Sequence, residues 1–165
     1  MIFDQGTPLK EPEKVFSDVT HIIASIPPSE LGEIALLLHS DELRDAASLT
    51  WVNYLSTPAV YGDRSGGVAS EFDEPTPTSK RGERRLAAER AWIDTFSDTR
   101  VSVQIMRIAG IYGPGRSVIE QVAAGRARIL EKEGQVFNRI HVDDIGTSLI
   151  ASMLRPNNKR IYNLA

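Results

Sequence analysis

The sequence predicts an α/β fold, a doubly wound parallel sheet with helices on its faces. Three observations lead there. Short runs rich in β-branched and aromatic residues alternate with longer stretches of helical spacing. The short runs are nearly continuous in apolar residues, as strands buried on both faces are. Polar, Gly- and Pro-containing segments follow the carboxyl ends of three successive strands. The 165 residues fit one domain spanning 1–165, long enough to bury roughly 70% of its unfolded surface.

The first strand is read at 19–25, VTHIIAS, stopped by Pro27 and Pro28. Ser29 is placed to cap a helix carrying Leu31, Ile34, Ala35 and Leu38, with a break at 39–41 and a continuation through Leu43 to Leu49. WVNYL (51–55) is the second strand. The polar stretch 62–80 follows, a loop length that is usually functional inside a compact domain. A helix over 79–96 presents Leu86, Trp92, Ile93 and Phe96, and VSVQIMRI (101–108) is the third strand. Ser117 to Glu120 spells a capping box, and Gly125 stops the short helix it opens. Strand-like pieces are expected in 128–142 around a Gly134-Gln135 turn. Asp143 or Asp144 then caps a helix with Ile145, Leu149 and Met153 that Pro156 ends, and a last strand runs over 161–164.

Composition excludes several classes of function. Nineteen Lys and Arg against 22 Asp and Glu leave a net charge of −3, which argues against a general grip on nucleic acid or an anionic membrane. With no Cys there is no disulfide, thiolate metal site or cysteine nucleophile. No His, Asp and Glu cluster has metal-ligand spacing. The longest apolar run, IALLL (34–38), is far short of a membrane span, and the N-terminus lacks the apolar core of a signal peptide. The expectation is a soluble cytoplasmic protein.

Ligands of open parallel sheets bind beyond the carboxyl ends of the strands. Three segments share that rim: 25–28, 56–62 and 107–116. Four motifs then occur in order: LSTPAVYGD (55–63), RGERRLAAE (81–89), RIAGIYGPGR (107–116) and FNRIHVDDI (137–145). The set resembles the extended short-chain dehydrogenases, the NAD-dependent epimerase/dehydratase superfamily, over nearly the whole chain. The resemblance implies a Rossmann-like fold and NAD or NADP as cofactor. It places the family's catalytic Ser/Thr at Thr57, three residues before Val60. It puts Ser25, Ile26, Pro27, Ile108, Ala109 and Gly110 on the cofactor side. Tyr61, Gly113, Arg116, Arg139 and His141 fall on the substrate side, with Arg116 and Arg139 where relatives hold anionic groups.

Two departures accompany the resemblance. Counting back from Ala88-Glu89, the family's YxxxK Tyr and Lys fall on Arg81 and Arg85. An arginine stays protonated and cannot act as a general base at neutral pH. The pair, at i and i+4, is read either as holding an anion or as part of a solvated helix start, with Arg85 and Glu89 forming a surface pair worth under about 1 kcal/mol. Thr57 is likewise read either as an active-site hydroxyl or as a strand-end side chain serving local backbone. His21 is read as a satisfied core or edge residue and His39 as a helix-end residue. The second departure is the absence of a GxGxxG phosphate turn. The resemblance places the start of this chain near the end of the family's third strand. The expectation is therefore a distal fragment that does not bind the cofactor tightly by itself. Its first strand would be an open edge that favours a homodimer. The competing classes are an NAD(P)-dependent oxidoreductase or epimerase-like enzyme, a non-catalytic binding or sensor module, and an inactive fragment.

Overall fold

The structure is a computed structural model that describes residues 6–128 and 136–165. A short helix α1 (Pro12–Phe16) precedes strand β1 (His21–Ala24). Helix α2 (Ile34–Asp45) starts later than Ser29 suggests. The Ser29 hydroxyl instead closes a turn, accepting the Leu31 N–H at 3.1 Å and donating to the Gly32 carbonyl at 3.2 Å. The predicted break falls at His39 (φ −143°, ψ 22°), yet His39 is a buried kink and not a helix end. Its Nε2 accepts the Leu9 N–H at 3.0 Å, and Phe16 meets its ring edge-on, so the N-terminal segment is anchored to α2 through this imidazole.

Strand β2 (Trp51–Ser56) runs into a 3₁₀ turn (Pro58–Tyr61), and residues 62–79 form the long loop. Ser79 Oγ accepts the Gly82 N–H at 3.1 Å and so opens α3 (Lys80–Thr95). Strand β3 (Ser102–Ile108) is followed at once by a short strand β4 (Gly110–Tyr112) that the sequence reading treats as rim loop. Helix α4 (Val118–Ala123) has both halves of the predicted capping box. Of the strand-like pieces expected in 128–142, the described residues contain β5 (Arg139–His141), and the Gly134-Gln135 turn lies outside them. Helix α5 (Val142–Leu154) is capped by His141, whose Nδ1 accepts the Asp143 N–H at 3.3 Å, and not by Asp143 or Asp144. Both aspartates sit in the first turn, where they favour the helix dipole without closing it. Strand β6 (Arg160–Leu164) comes last.

The main sheet has the order β1-β2-β3-β6 and is parallel throughout, with His21 beside Trp51, Trp51 beside Ser102 and Gln104 beside Arg160. Strands β4 and β5 form a separate parallel pair. The period of two sends Val52, Tyr54, Val103 and Ile105 to one face, against Leu36, Leu43, Ala88, Trp92 and Phe96 of α2, α3 and the turn after it. Met106 and Ile108 go to the other face with Ile140 and Ile145. Helices therefore lie on both faces of a parallel sheet, the Rossmann-like arrangement expected. Trp92 and Phe96, stacked 6.2 Å apart, are core. His21 is exposed on β1, at the edge of the sheet. No helix among the described residues is long and apolar enough to cross a membrane.

Candidate functional site

The carboxyl ends of β3 and β6 and the 3₁₀ turn after β2 open onto a cleft of about 840 Å³. Its walls include Tyr61, Arg64, Ser79, Arg107, Asn138 and Asn163. The strands deliver these groups because each carries a polar residue next to last, at the rim: Arg107 in β3 and Asn163 in β6.

Arg107 is the floor of the cleft. It is 1% exposed and held by Glu89 of α3, itself 2% exposed. Its Nε donates to Glu89 Oε1 at 3.1 Å and its Nη2 to Glu89 Oε2 at 2.7 Å, while Ser56 Oγ also donates to Oε1. Burial works against the Arg107 charge, but the bonds and charge of Glu89 outweigh it and hold the guanidinium protonated. The third nitrogen, Nη1, has no hydrogen bond among the described residues. The Tyr61 ring carries two guanidinium groups, Arg107 at 4.6 Å and Arg64 at 5.6 Å from its centre. Tyr61 also donates its hydroxyl proton to Asn163 Oδ1 at 2.9 Å.

The loop over 62–79 is pinned to this rim. Gly62 has φ 73°, and a Cβ there would lie 2.1 Å from the Thr76 carbonyl oxygen. Thr76 Oγ1 donates to the Tyr61 carbonyl at 3.0 Å. Glu71 accepts the Asn163 N–H at 2.8 Å, and that bond holds its carboxyl below the usual range. Asp73 accepts the Ser70 N–H at 3.0 Å and pairs with Arg64 at 3.2 Å, so its carboxyl is likewise lowered.

Of the site residues expected from sequence, Tyr61 lines the cleft. Thr57 caps the 3₁₀ turn, its Oγ1 accepting the Ala59 N–H. Arg81 is exposed on the first turn of α3 and has no hydrogen bond or ion pair among the described residues. Arg85 turns inward to the end of β2, donating to the Leu55 carbonyl at 2.8 Å and the Tyr54 hydroxyl at 3.1 Å. The anticipated Arg85–Glu89 surface pair is not formed, because Glu89 is buried against Arg107. Burial pushes the Tyr54 phenol up to about 12 despite the Arg85 charge.

Ser25 and Ile26 border a second, apolar groove beside β1, and Pro27 is exposed. Ile108 and Ala109 are buried, and the Arg139 guanidinium lies over Gly110, where a Cβ would approach its Nη1 to 2.1 Å. Gly113 and Arg116 close a turn through two backbone bonds. His141 meets Tyr112 edge-on at 5.1 Å. Gly110, Gly113, Arg116, Arg139 and His141 thus gather around the β4-β5 pair. Sequence reasoning missed Arg64, Asn138 and Asn163 as wall residues, and it named Arg107 only as the start of a rim segment. The available signal was a charge inside an otherwise apolar strand, VSVQIMRI.

A dinucleotide cofactor needs backbone N–H groups and an uncrowded helix N-terminus for its pyrophosphate. After β1 the chain offers Pro27 and Pro28, which have no N–H. Glu33, a buried acid, stands at the start of α2. The turn between β1 and α2 does not fit a pyrophosphate cradle. Among the described residues no group of three or more His, Asp and Glu could hold a metal ion.

No protein-family model matches the chain. Protein YeeZ of Escherichia coli (strain K12) is 28% identical over 152 residues, covering 89% of this chain and 53% of that protein. The chain thus spans about half the length of the curated relatives it matches. Among solved structures, a functionally unknown conserved protein from Silicibacter pomeroyi DSS is 42% identical with a TM-score of 0.82, over 88% of this chain and 51% of that one. MoeE5, solved with UDP-glucose and NAD, is 24% identical with a TM-score of 0.77, over 100% of this chain and 62% of that one. UDP-glucuronic acid 4-epimerase from Bacillus cereus, solved with UDP-glucuronic acid and NAD, is 21% identical with a TM-score of 0.76, over 99% of this chain and 58% of that one. These likenesses establish the fold: a Rossmann-like parallel α/β sheet shared with UDP-sugar 4-epimerases.

Proposed function

We propose that this chain is the substrate-side part of an NAD(P)-dependent oxidoreductase or epimerase/dehydratase-like protein acting on a small anionic or nucleotide-linked substrate. One observation carries the reading. Arg107, fixed by Glu89, and Arg64 both lie against the ring of Tyr61 in the wall of a cleft on the carboxyl rim. Two guanidinium charges on one side of a cleft suit a phosphate or carboxylate group, with Arg64 the more exposed of the two. The likeness to proteins solved with UDP-sugars supports a nucleotide-linked ligand. In this reading Thr57 acts at the substrate oxygen, the exposed Arg81 attracts its charge, Arg85 braces the end of β2 beside them, and the cofactor's pyrophosphate is held by polypeptide outside this chain.

Calorimetry with UDP-glucose, UDP and glucose tests it. UDP-glucose and UDP should bind, glucose should not, and Arg64→Ala should weaken UDP binding by roughly 1.5–3 kcal/mol. Equal binding of glucose and UDP, or no effect of Arg64→Ala, sinks the reading. NADH should show no micromolar binding to the chain alone.

A second reading, a binding or sensor module without turnover, is favoured by Arg85. Its guanidinium is already committed to the Leu55 carbonyl and the Tyr54 hydroxyl, and the nearby phenol is held neutral. Thr57→Ala separates the two in the longer protein: the enzyme reading expects turnover to fall more than binding, the sensor reading expects no turnover to lose.

A further inference from the structure

The long loop over 62–79 contains two turns joined by one ion pair. In the first, at the tip, Ser65 donates its N–H to Asp63 Oδ1 at 2.8 Å and Gly67 donates its N–H to the Arg64 carbonyl at 2.9 Å. Ser65 holds φ 51°, the left-handed region that a β-carbon disfavours. In the second, Ser70 donates its N–H to Asp73 Oδ2 at 3.0 Å and Asp73 returns its own to the Ser70 carbonyl at 3.2 Å. Strand β6 anchors this second turn: Asn163 donates its backbone N–H to Glu71 at 2.8 Å and its Nδ2 to the Ala69 carbonyl at 3.3 Å. Among the described residues no hydrogen bond from 63–68 reaches beyond 63–74. The tip is tied to the anchored turn through Arg64, whose Nη1 meets Asp73 Oδ2 at 3.2 Å and whose Nη2 reaches the Glu74 carbonyl at 3.5 Å.

Arg64 also belongs to the cleft wall, with its guanidinium over the Tyr61 ring. The hold of Asp73 on it is weak for three reasons. The two side chains are 30% and 36% exposed, so water screens the pair. Arg64 Nε is buried without a hydrogen-bond partner among the described residues, so this pose leaves one donor unmade. Asp73 also loses little if Arg64 leaves, because the Ser70 N–H does more than the Arg64 charge to keep its carboxyl below the usual range. A diphosphate offers the same guanidinium more negative charge and a two-point contact.

We propose that Asp73 is a built-in competitor for the anion: its carboxylate holds Arg64 until a phosphate group takes the guanidinium over, and the exchange uncouples the tip 63–68 from the anchored turn. The inference rests on the anion-binding reading of the cleft and adds to it the residue that sets its affinity. That affinity is a difference between two contacts of one guanidinium, so removing the carboxylate raises it. Asp73 does this without touching the ligand.

Calorimetry at fixed ionic strength, with UDP and with inorganic pyrophosphate, tests it. Asp73→Asn keeps an acceptor for the Ser70 N–H and should tighten both probes about two- to fivefold. Glu74→Gln makes the same change of charge one residue along, at an exposed position, and should alter them less than about 1.5-fold. In an Arg64→Ala background Asp73→Asn should have no effect, because the shared guanidinium is gone. The proposal is overturned if Asp73→Asn binds like the parent, if Glu74→Gln tightens binding as much, or if the gain persists without Arg64; each of these leaves the anion reading of the cleft standing. If neither probe binds the parent or Asp73→Asn, the anion reading itself fails and the competitor falls with it.

Discussion

Glu89 and Arg107 form a two-point ion pair, 3.1 and 2.7 Å, with less than 3% of either residue exposed. The pair links helix α3 to the last turn of strand β3 and sets the floor of the cleft. A buried pair of this kind costs much of its Coulomb energy in desolvation, so its net contribution to stability is small while the loss of one partner is severe. Glu89→Ala should therefore cost about 3–5 kcal/mol in urea unfolding, and the double change Glu89→Leu with Arg107→Met far less. A single-variant cost under about 1 kcal/mol would show that the pair does not hold the two elements together.

Glu33 gives a pH dependence. Burial raises its carboxyl above the ordinary 4.5, against the pull of the Ala35 backbone and the Arg85 charge. An acid raised on folding binds its proton more tightly in the folded chain. Its contribution is full below the unfolded value and is lost as pH rises through the folded one. Glu33→Gln does not titrate, so its Tm advantage over the parent should grow from about pH 4 to about pH 7. A difference that stays flat over that range rules the argument out.

Tyr54 should ionise at about 12, far too high for a base at neutral pH. Phenolate absorbance followed through an alkaline titration, with Tyr54→Phe identifying the component, checks this. Arg85→Gln should move that component higher, because the Arg85 charge and hydrogen bond favour the phenolate. A downward movement would contradict the geometry at the end of β2.

Gly62→Ala should release the loop over 62–79. The position combines φ 73° with a Cβ contact 2.1 Å from backbone, so the residue must shift and the Thr76–Tyr61 bond must break. New cleavage sites within 62–79 in limited proteolysis, with weaker UDP binding, are the expected result. An unchanged digest would mean that the loop does not depend on this turn.

The sequence by itself determined the alternation of strands and helices, because apolar runs and caps are local signals. VTHIIAS and VSVQIMRI each contain a strand of the sheet, WVNYL is all but the last residue of another, and the Ser117 to Glu120 capping box is read directly from four residues. Its local errors share one cause: several side chains can serve one backbone group. Ser29 closes a turn where a cap was expected, and His141 caps α5 in place of the neighbouring aspartates. Only the tertiary structure decided the partners. Glu89 is four residues from Arg85, yet it pairs with Arg107, eighteen residues away, because the helix packs that face onto β3. Arg81 and Arg85 lie on one side of α3, yet β2 offers a carbonyl and a phenol only to the second. The cleft is assembled from 58–69, 107, 138 and 163, positions no local pattern connects, because parallel register brings distant strand ends to one rim.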